Sequence, residues 1–184
     1  MTVSTLNTEE LLLLCKNKNQ TAQFEIYNRY SKAMFNVAYR IVKDQHYAED
    51  VMQEGFLKAF NNIDAYKNEV AFGAWLKKII VNTSIDFYKK NTKFKPEDLT
   101  DTIHKIEEVD QYQCETLDFT NLRVQQVIEA MNTLKASYSV ILTLFFIEGY
   151  DQEEISEIMN ISYANCRTTL SRAKDCLRLK LMKI

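Results

Sequence analysis

The side chains best suited to binding chemistry lie near the end of this 184-residue chain, in the stretch ISYANCRTTLSRAK (161–174). At about 100° per residue of a helix, its apolar side chains share one stripe. That stripe holds Cys166, Leu170, Ala173 and Leu177, and the opposite side carries Arg167, Thr168, Ser171 and Arg172. Such a helix packs with one face and offers hydrogen bonds and positive charge to a partner with the other.

The rest of the sequence shows no pattern typical of an enzyme or a metal centre. His46 and His104 lack the spacing of metal ligands, and there is no glycine-rich phosphate loop. Four cysteines are scattered without paired spacing, as is usual for reduced intracellular thiols: Cys15, Cys114, Cys166 and Cys176. We therefore expect neither catalysis nor a metal nor a cofactor.

Composition predicts an all-α protein, because three glycines and one proline leave few tight turns for a sheet. The periodicity predicts helices from Asn7 or Thr8 to about Lys18, from Thr21 onward, and over 46–63, 72–91, 122–132 and 136–148, followed by one from Asp151 and one after Ser162. The apolar members of the second helix are predicted to be Phe24, Tyr27, Met34, Phe35, Ala38 and Ile41.

Charge divides the chain into three parts. Residues 1–95 carry 14 Lys and Arg against 10 Asp and Glu, residues 96–124 carry 2 against 8, and the remainder carries 7 against 7. Pro96 interrupts helix formation at the first boundary. We predict a helical bundle at 1–95, an acidic linker at 96–121 and a four-helix domain at 122–184. Within the outer parts, residues 75–95 carry six Lys and one Asp, and residues 161–184 carry six Lys and Arg and one Asp. These two basic segments could contact a polyanion at two places, and ordinary solvated helix faces explain the charge equally well.

The sequence indicates a soluble, cytoplasmic protein. No signal peptide is recognisable at the N-terminus, and the longest apolar runs, LLLL (11–14) and VILTLFFI (140–147), are too short to cross a bilayer. We therefore expect no membrane insertion.

Residues 151–181 have the pattern of a helix-turn-helix. Asp151 with Glu154 forms a capping-box-like pair, and Ser162 is placed to cap the next helix. In this motif the second helix enters the DNA major groove. A plain helical hairpin would give a similar pattern.

Longer segments resemble one protein family. LKASYSVILTLFFIEGYDQEEISEIMNISYANCRTTLSRAKDCLRLKL (134–181) is similar to the C-terminal DNA-binding domain of bacterial sigma factors, especially the extracytoplasmic-function (ECF) group. YAEDVMQEGFLKAF (47–60) resembles the segment of sigma domain 2 that holds the polymerase clamp helices. AFGAWLKKIIVNTSIDFYKK (71–90) resembles the segment that melts and recognises the −10 element. The resemblance covers nearly the whole chain.

The resemblance implies roles for three groups of residues. Contacts to the −35 element are expected from Arg167, Thr168, Ser171, Arg172 and Lys174. Contacts to the −10 element are expected from Tyr66, Asn82, Trp75, Lys77 and Lys78, with Tyr66 and Asn82 lining the pocket of an unstacked base and Trp75 serving either as a melting wedge or as core. Polymerase contacts are expected from Asp50, Gln53, Glu54 and Lys58.

The sequence departs from the family pattern at three positions of the last helix. Thr169 replaces an arginine, Ala164 a glycine and Cys166 a valine. The missing arginine puts one DNA contact in doubt, whereas Cys166 is expected to be a small core residue.

The resemblance thus predicts an ECF-type sigma factor that binds core RNA polymerase, at its clamp helices and flap, and directs it to promoters bearing −10 and −35 elements. It also implies an anti-sigma partner and a linker that follows the RNA path of the polymerase. Two alternatives remain. A stand-alone regulator would bind DNA tightly without polymerase, and a helical adaptor or anti-sigma-like protein would not need Arg167 and Arg172.

Overall fold

The computed structural model describes residues 5–91 and 122–182, and every regular element within these ranges is a helix. The all-α prediction is therefore confirmed for the part of the chain that is described. The chain divides into two compact units, Met1–Phe94 and Lys95–Ile184. The predicted linker at 96–121 lies outside the described residues.

The first unit contains four α-helices: α1 (Thr8–Lys16), α2 (Gln20–Val42), α3 (Gln45–Asn61) and α4 (Phe72–Asn91), with a short 3₁₀ turn at Ile63–Ala65. Side-chain caps fix where the first three helices begin. Asn7, Asn19 and Asp44 each accept a hydrogen bond from a backbone N–H three residues later. Helix α2 begins one residue before the predicted Thr21 because Asn19 is its cap.

Helices α2, α3 and α4 pack on one another around a shared apolar core. Its fully buried side chains include Ile26, Ile41, Val51, Leu76 and Ile80. Gly55 of α3 faces Ile80, where a Cβ would collide with the isoleucine side chain, so the glycine lets α3 and α4 approach closely.

One predicted core position of α2 is wrong. Phe24 was assigned to the apolar face, but its side chain is exposed to solvent. The buried place is taken by Ile26, which lies one turn after the buried Ala22. Phe24 and Ile26 lie about 160° apart around the axis of α2, so only one of them can face the bundle, and the buried side of the helix is the one that holds Ala22, Ile26 and Val37.

The second unit contains α5 (Leu122–Asn132), α6 (Ala136–Leu142), α7 (Gln152–Met159) and α8 (Tyr163–Leu181). Helix α6 continues into a wider π-helical turn, Thr143–Ile147. Helix α8 packs against α5, α6 and α7, and its predicted apolar stripe is buried, as the periodicity indicated. The core thus holds one side of α8 and leaves the other side in solvent.

A tight turn joins α7 to α8 and produces the predicted helix-turn-helix. Asp151 and Glu154 form the capping box that begins α7. Asn160 ends α7 in the left-handed conformation, with φ at 51°, which asparagine tolerates better than most residues. The Ser162 hydroxyl then accepts a hydrogen bond from the Asn165 N–H at 3.2 Å and starts α8.

Candidate nucleic-acid interface

Four of the five side chains predicted to contact a −35 element lie together on the solvent side of α8. Arg167, Thr168, Ser171 and Arg172 are all exposed and line a shallow cavity of about 570 Å³ with Tyr163 and Ala164. We call Arg167, Thr168, Ser171 and Arg172 the α8 quartet. The Thr168 hydroxyl donates to the Ala164 carbonyl at 2.9 Å, which leaves its oxygen lone pairs able to accept. The cavity therefore presents two guanidinium groups and two hydroxyls.

Position 169 is part of the packing side of α8. Thr169 is buried and its hydroxyl donates to the Asn165 side chain at 3.3 Å. Thr169 stands where the family pattern has an arginine, so one DNA contact was expected to be missing here. In this chain the small hydroxyl residue packs under the helix, and the exposed surface begins at its neighbour Thr168.

Lys174, the fifth predicted −35 residue, lies apart from the quartet. Its side chain is half-buried, and its ammonium lies 3.9 Å from the centroid of the Phe145 ring and 5.4 Å from that of Phe146. Both distances are typical of cation–π contacts. Lys174 therefore contacts the π-helical turn of its own unit.

Tyr163 is a candidate contact residue that the sequence analysis missed. It is the first residue of α8, its ring is exposed, and it lines the same cavity as the quartet. An aromatic side chain can pack on a thymine methyl or a sugar. The available signal was an exposed aromatic directly after the Ser162 cap, where residues of a recognition helix meet base edges.

On α4, three of the predicted −10 residues share one face. Trp75, Lys78 and Asn82 fall within about 60° of one another around the helix axis. Asn82 and Lys78 are exposed, and Trp75 is half-buried. The centroid of the Trp75 ring lies 5.3 Å from that of Tyr66 and 5.7 Å from that of Phe72. Trp75 thus packs one side on the core and leaves part of its ring accessible.

Two further residues predicted to contact the −10 element lie outside this shared face. Tyr66 is buried, its hydroxyl donates to the Val70 carbonyl at 2.7 Å, and burial raises the pKa of its phenol. A ring enclosed in this way offers no free face to a base, and it instead holds the loop before α4. Lys77 is half-buried and lies about 100–160° around α4 from the shared face, because adjacent helical residues diverge.

The predicted polymerase-binding residues of α3 form an exposed acidic surface. Asp50, Gln53 and Glu54 are all exposed and lie within about 100° of one another around the helix. Lys58 behaves differently. Its ammonium pairs with Glu54 at 2.7 Å and donates to the Thr83 hydroxyl on α4 at 3.3 Å, which connects the surface to the bundle.

Leu57 was missed in this surface. It lies between Gln53 and Asp50 around the axis of α3, and it is 64% exposed. The signal was present in the sequence, since Leu57 follows Gln53 and Glu54 at helical spacing. An apolar side chain within a polar rim is typical of a protein–protein contact. We call Asp50, Gln53, Glu54 and Leu57 the α3 surface.

The second unit also has an apolar groove next to the end of α8. The groove has a volume of about 390 Å³ and is lined by Phe146, Lys174, Leu177, Arg178, Leu181 and Met182. Phe146 and Met182 are strongly exposed. Exposed apolar side chains grouped around a concave surface mark a contact site for a protein partner.

Residues 5–91 and 122–182 contain neither a metal-binding cluster nor a membrane-spanning helix. No cluster of three or more His, Cys, Asp or Glu side chains there could hold a metal ion. Among the helices in these ranges, none combines the length and the apolar character that a bilayer crossing requires.

Comparison with known proteins connects these surfaces to one family. The family models Sigma-70 region 2 and Sigma-70, region 4 match residues 26–94 and 124–177. The chain is 30% identical over 155 residues to the ECF RNA polymerase sigma factor SigM of Bacillus subtilis, covering 84% of this chain and 91% of the relative. This chain belongs to the ECF RNA polymerase sigma factors. The sigma factor is also 27% identical over 179 residues to SigW of the same species, covering 90% of this chain and 92% of SigW.

A solved structure has the same fold. The sigma factor RpoE of Bartonella quintana, crystallised with the anti-sigma factor NepR, matches with a TM-score of 0.53 and 22% identity, over 86% of this chain and 95% of RpoE. The region 2 match contains the α3 surface and the shared face of α4, and the region 4 match contains the α8 quartet.

Proposed function

We propose that this sigma factor binds core RNA polymerase through the α3 surface and directs it to promoters with α8 at the −35 element and α4 at the −10 element. One observation carries the proposal. The α8 quartet is exposed while the opposite stripe of the same helix is buried, so the hydrogen-bonding side is held outward by the core.

At the −35 element, Arg167 and Arg172 supply guanidinium groups that match the two acceptors of guanine in the major groove. The hydroxyls of Thr168 and Ser171 can form hydrogen bonds to bases or phosphates. The first turn of α8, capped by Ser162, directs its free N–H groups and the positive end of the helix dipole toward a phosphate.

At the −10 element, the shared face of α4 supports strand recognition. The exposed Asn82 amide can both donate to and accept from a base edge. The accessible part of Trp75 suits stacking or wedging, and Lys78 suits a phosphate. Tyr66 contributes indirectly, because its hydrogen bond to Val70 shapes the loop beside this face.

The α3 surface suits a basic groove such as that of the polymerase clamp helices, with Leu57 as its apolar centre. We assign the apolar groove of the second unit to the polymerase flap. The RpoE structure contains an anti-sigma factor, and a comparable partner for this chain would inhibit it by covering the same surfaces.

We assign polymerase binding and −10 recognition to residues 1–95, −35 recognition to 122–184, and the connection to the acidic linker at 96–121. The chain would act in the cytoplasm, where the polymerase and the chromosome are, and the polymerase would perform all catalysis. Each unit offers few DNA contacts, so the polymerase must hold the two in register.

Run-off transcription on a genomic library tests the proposal. Core polymerase with the sigma factor should give promoter-specific transcripts. Replacing both Arg167 and Arg172 with alanine should weaken them at least 30-fold, since each bidentate arginine contributes about 1–3 kcal/mol of discrimination. The matched control, Arg29→Ala with Lys32→Ala on α2, removes the same charge and should leave transcription unchanged.

Three outcomes would refute the proposal. Absence of specific transcripts would show that the chain has no sigma activity. Tight operator binding without polymerase would indicate a stand-alone regulator. Full activity of the double arginine variant would indicate an adaptor that does not need DNA contact.

A further inference from the structure

The contact between Lys174 and the π-helical turn suggests a role that the family pattern does not assign. A lysine at this place in a recognition helix is expected to contact a phosphate. Here the ammonium lies 3.9 Å from the centroid of the Phe145 ring, within the second unit itself. We propose that Lys174 is a positioning residue, which fixes the rotation of α8 about its axis by bonding to Phe145, and that it does not pair with DNA. This inference rests on the proposed −35 recognition by α8.

The position of Lys174 along α8 supports this assignment. Residues near the N-terminus of a recognition helix contact base edges. Lys174 is seven residues after Arg167 and two after Arg172, so it lies beyond the end of the quartet that is further from the helix N-terminus. Around the axis it lies about 80° from Cys166, closer to the buried stripe than any member of the α8 quartet. The side chain is consequently half-buried.

The π-helical turn explains how the ring reaches the lysine. In the turn the Glu148 N–H donates to the Thr143 carbonyl at 3.0 Å, an i+5 bond that widens the helix. Phe145 and Phe146 then lie edge to face, with centroids 5.1 Å apart, and both rings come within 5.4 Å of the Lys174 ammonium. A cation–π contact of this kind connects α8 to the element before α7.

The charged residues that follow Lys174 on α8 have partners other than Lys174. Asp175, the next residue, pairs with Arg178 at 3.1 Å. Lys180, near the end of α8, donates to the Thr133 carbonyl at 3.0 Å. Two lysines thus hold α8 from within its own unit, one through a ring and one through the backbone after α5.

Salt dependence of promoter binding by the full chain with core polymerase distinguishes the two roles. The binding constant K falls with salt, and losing one phosphate contact makes the negative slope of log K against log salt less steep by about 0.9. Lys174→Gln and Phe145→Leu should each weaken binding by about two- to five-fold, as expected for a cation–π contact, with no change of slope. Lys174→Arg, which keeps both charge and stacking, should restore binding. The slope control is Lys78→Gln, which removes a lysine assigned to a phosphate and should make the slope less steep by about 0.9.

A double-mutant cycle tests the coupling without any promoter. In thermal unfolding of the full chain, the effects of Lys174→Gln and Phe145→Leu should be non-additive, the double variant being no less stable than the worse single one. Additive effects, or a slope loss in Lys174→Gln equal to that in Lys78→Gln, would overturn the proposal. If instead the Arg167 and Arg172 double variant transcribes normally, −35 recognition by α8 is what fails.

Discussion

Replacement of the exposed Leu57 by alanine tests the polymerase-binding surface most directly. Burying a leucine fully yields about 1.5–3 kcal/mol. Leu57 is 64% exposed, so a partner that covers it can gain about two thirds of that amount, or roughly 1–2 kcal/mol. Leu57→Ala should therefore weaken binding to core polymerase by about 5- to 30-fold.

The chain provides a matched control in Phe24. It is also 64% exposed, belongs to the same unit, and lies on α2 outside the α3 surface. Both substitutions remove an exposed apolar side chain, so each should change thermal stability by less than about 0.5 kcal/mol. Only Leu57→Ala should change polymerase affinity, measured by titrating labelled sigma factor with core enzyme.

Two results would refute this reasoning. Equal polymerase affinity for Leu57→Ala and the parent chain would show that the partner does not cover α3 at this position. Equal weakening by Phe24→Ala would show that exposed apolar area anywhere on the first unit affects binding, which would remove the argument from the polar rim around Leu57.

Two further predictions concern the second unit. Ser162→Ala should lower the free energy of unfolding by about 0.5–2 kcal/mol in thermal melts and weaken −35 binding, because α8 loses its cap; Ser156→Ala on α7 is the control, and equal losses would contradict the capping role. Burial raises the pKa of Tyr150 to about 12, with Glu148 and Glu154 adding to the effect. Folding therefore opposes ionisation, and stability present below about pH 10, the ordinary phenol value, is lost between pH 10 and 12. Tyr150→Phe should show a shallower decline of melting temperature over that range, and an unchanged decline would contradict the pKa shift.

Local signals in the sequence were sufficient for the helices. The predicted helix 72–91 is α4 as observed, and the caps predicted at Asp151 and Ser162 are present. Of the two residues predicted to begin the first helix, Asn7 or Thr8, Asn7 is the cap. Capping and periodicity depend on residues within one or two turns, so the sequence contains that information directly.

Tertiary packing determined what the sequence could not. Tyr66 matched a base-contacting position, but its ring is buried against those of Phe72 and Trp75. Lys174 matched a DNA-contacting position, but the π-helical turn supplies a ring that no periodicity predicts. In both cases the side chain is engaged by an element whose position depends on the fold of the whole unit.

The number of exposed cations explains how an acidic chain can act on DNA. The α8 quartet contains two guanidinium groups, so even if both neutralised a phosphate the salt slope would be no steeper than about −1.8. Such a unit alone binds DNA weakly, and so does a face of α4 with the single exposed lysine Lys78 beside Asn82. When polymerase holds both units, the second contact becomes intramolecular at an effective concentration in the millimolar range. Weak separate contacts then give selective binding only in the assembled enzyme, so the net charge of −2 is no obstacle to promoter recognition.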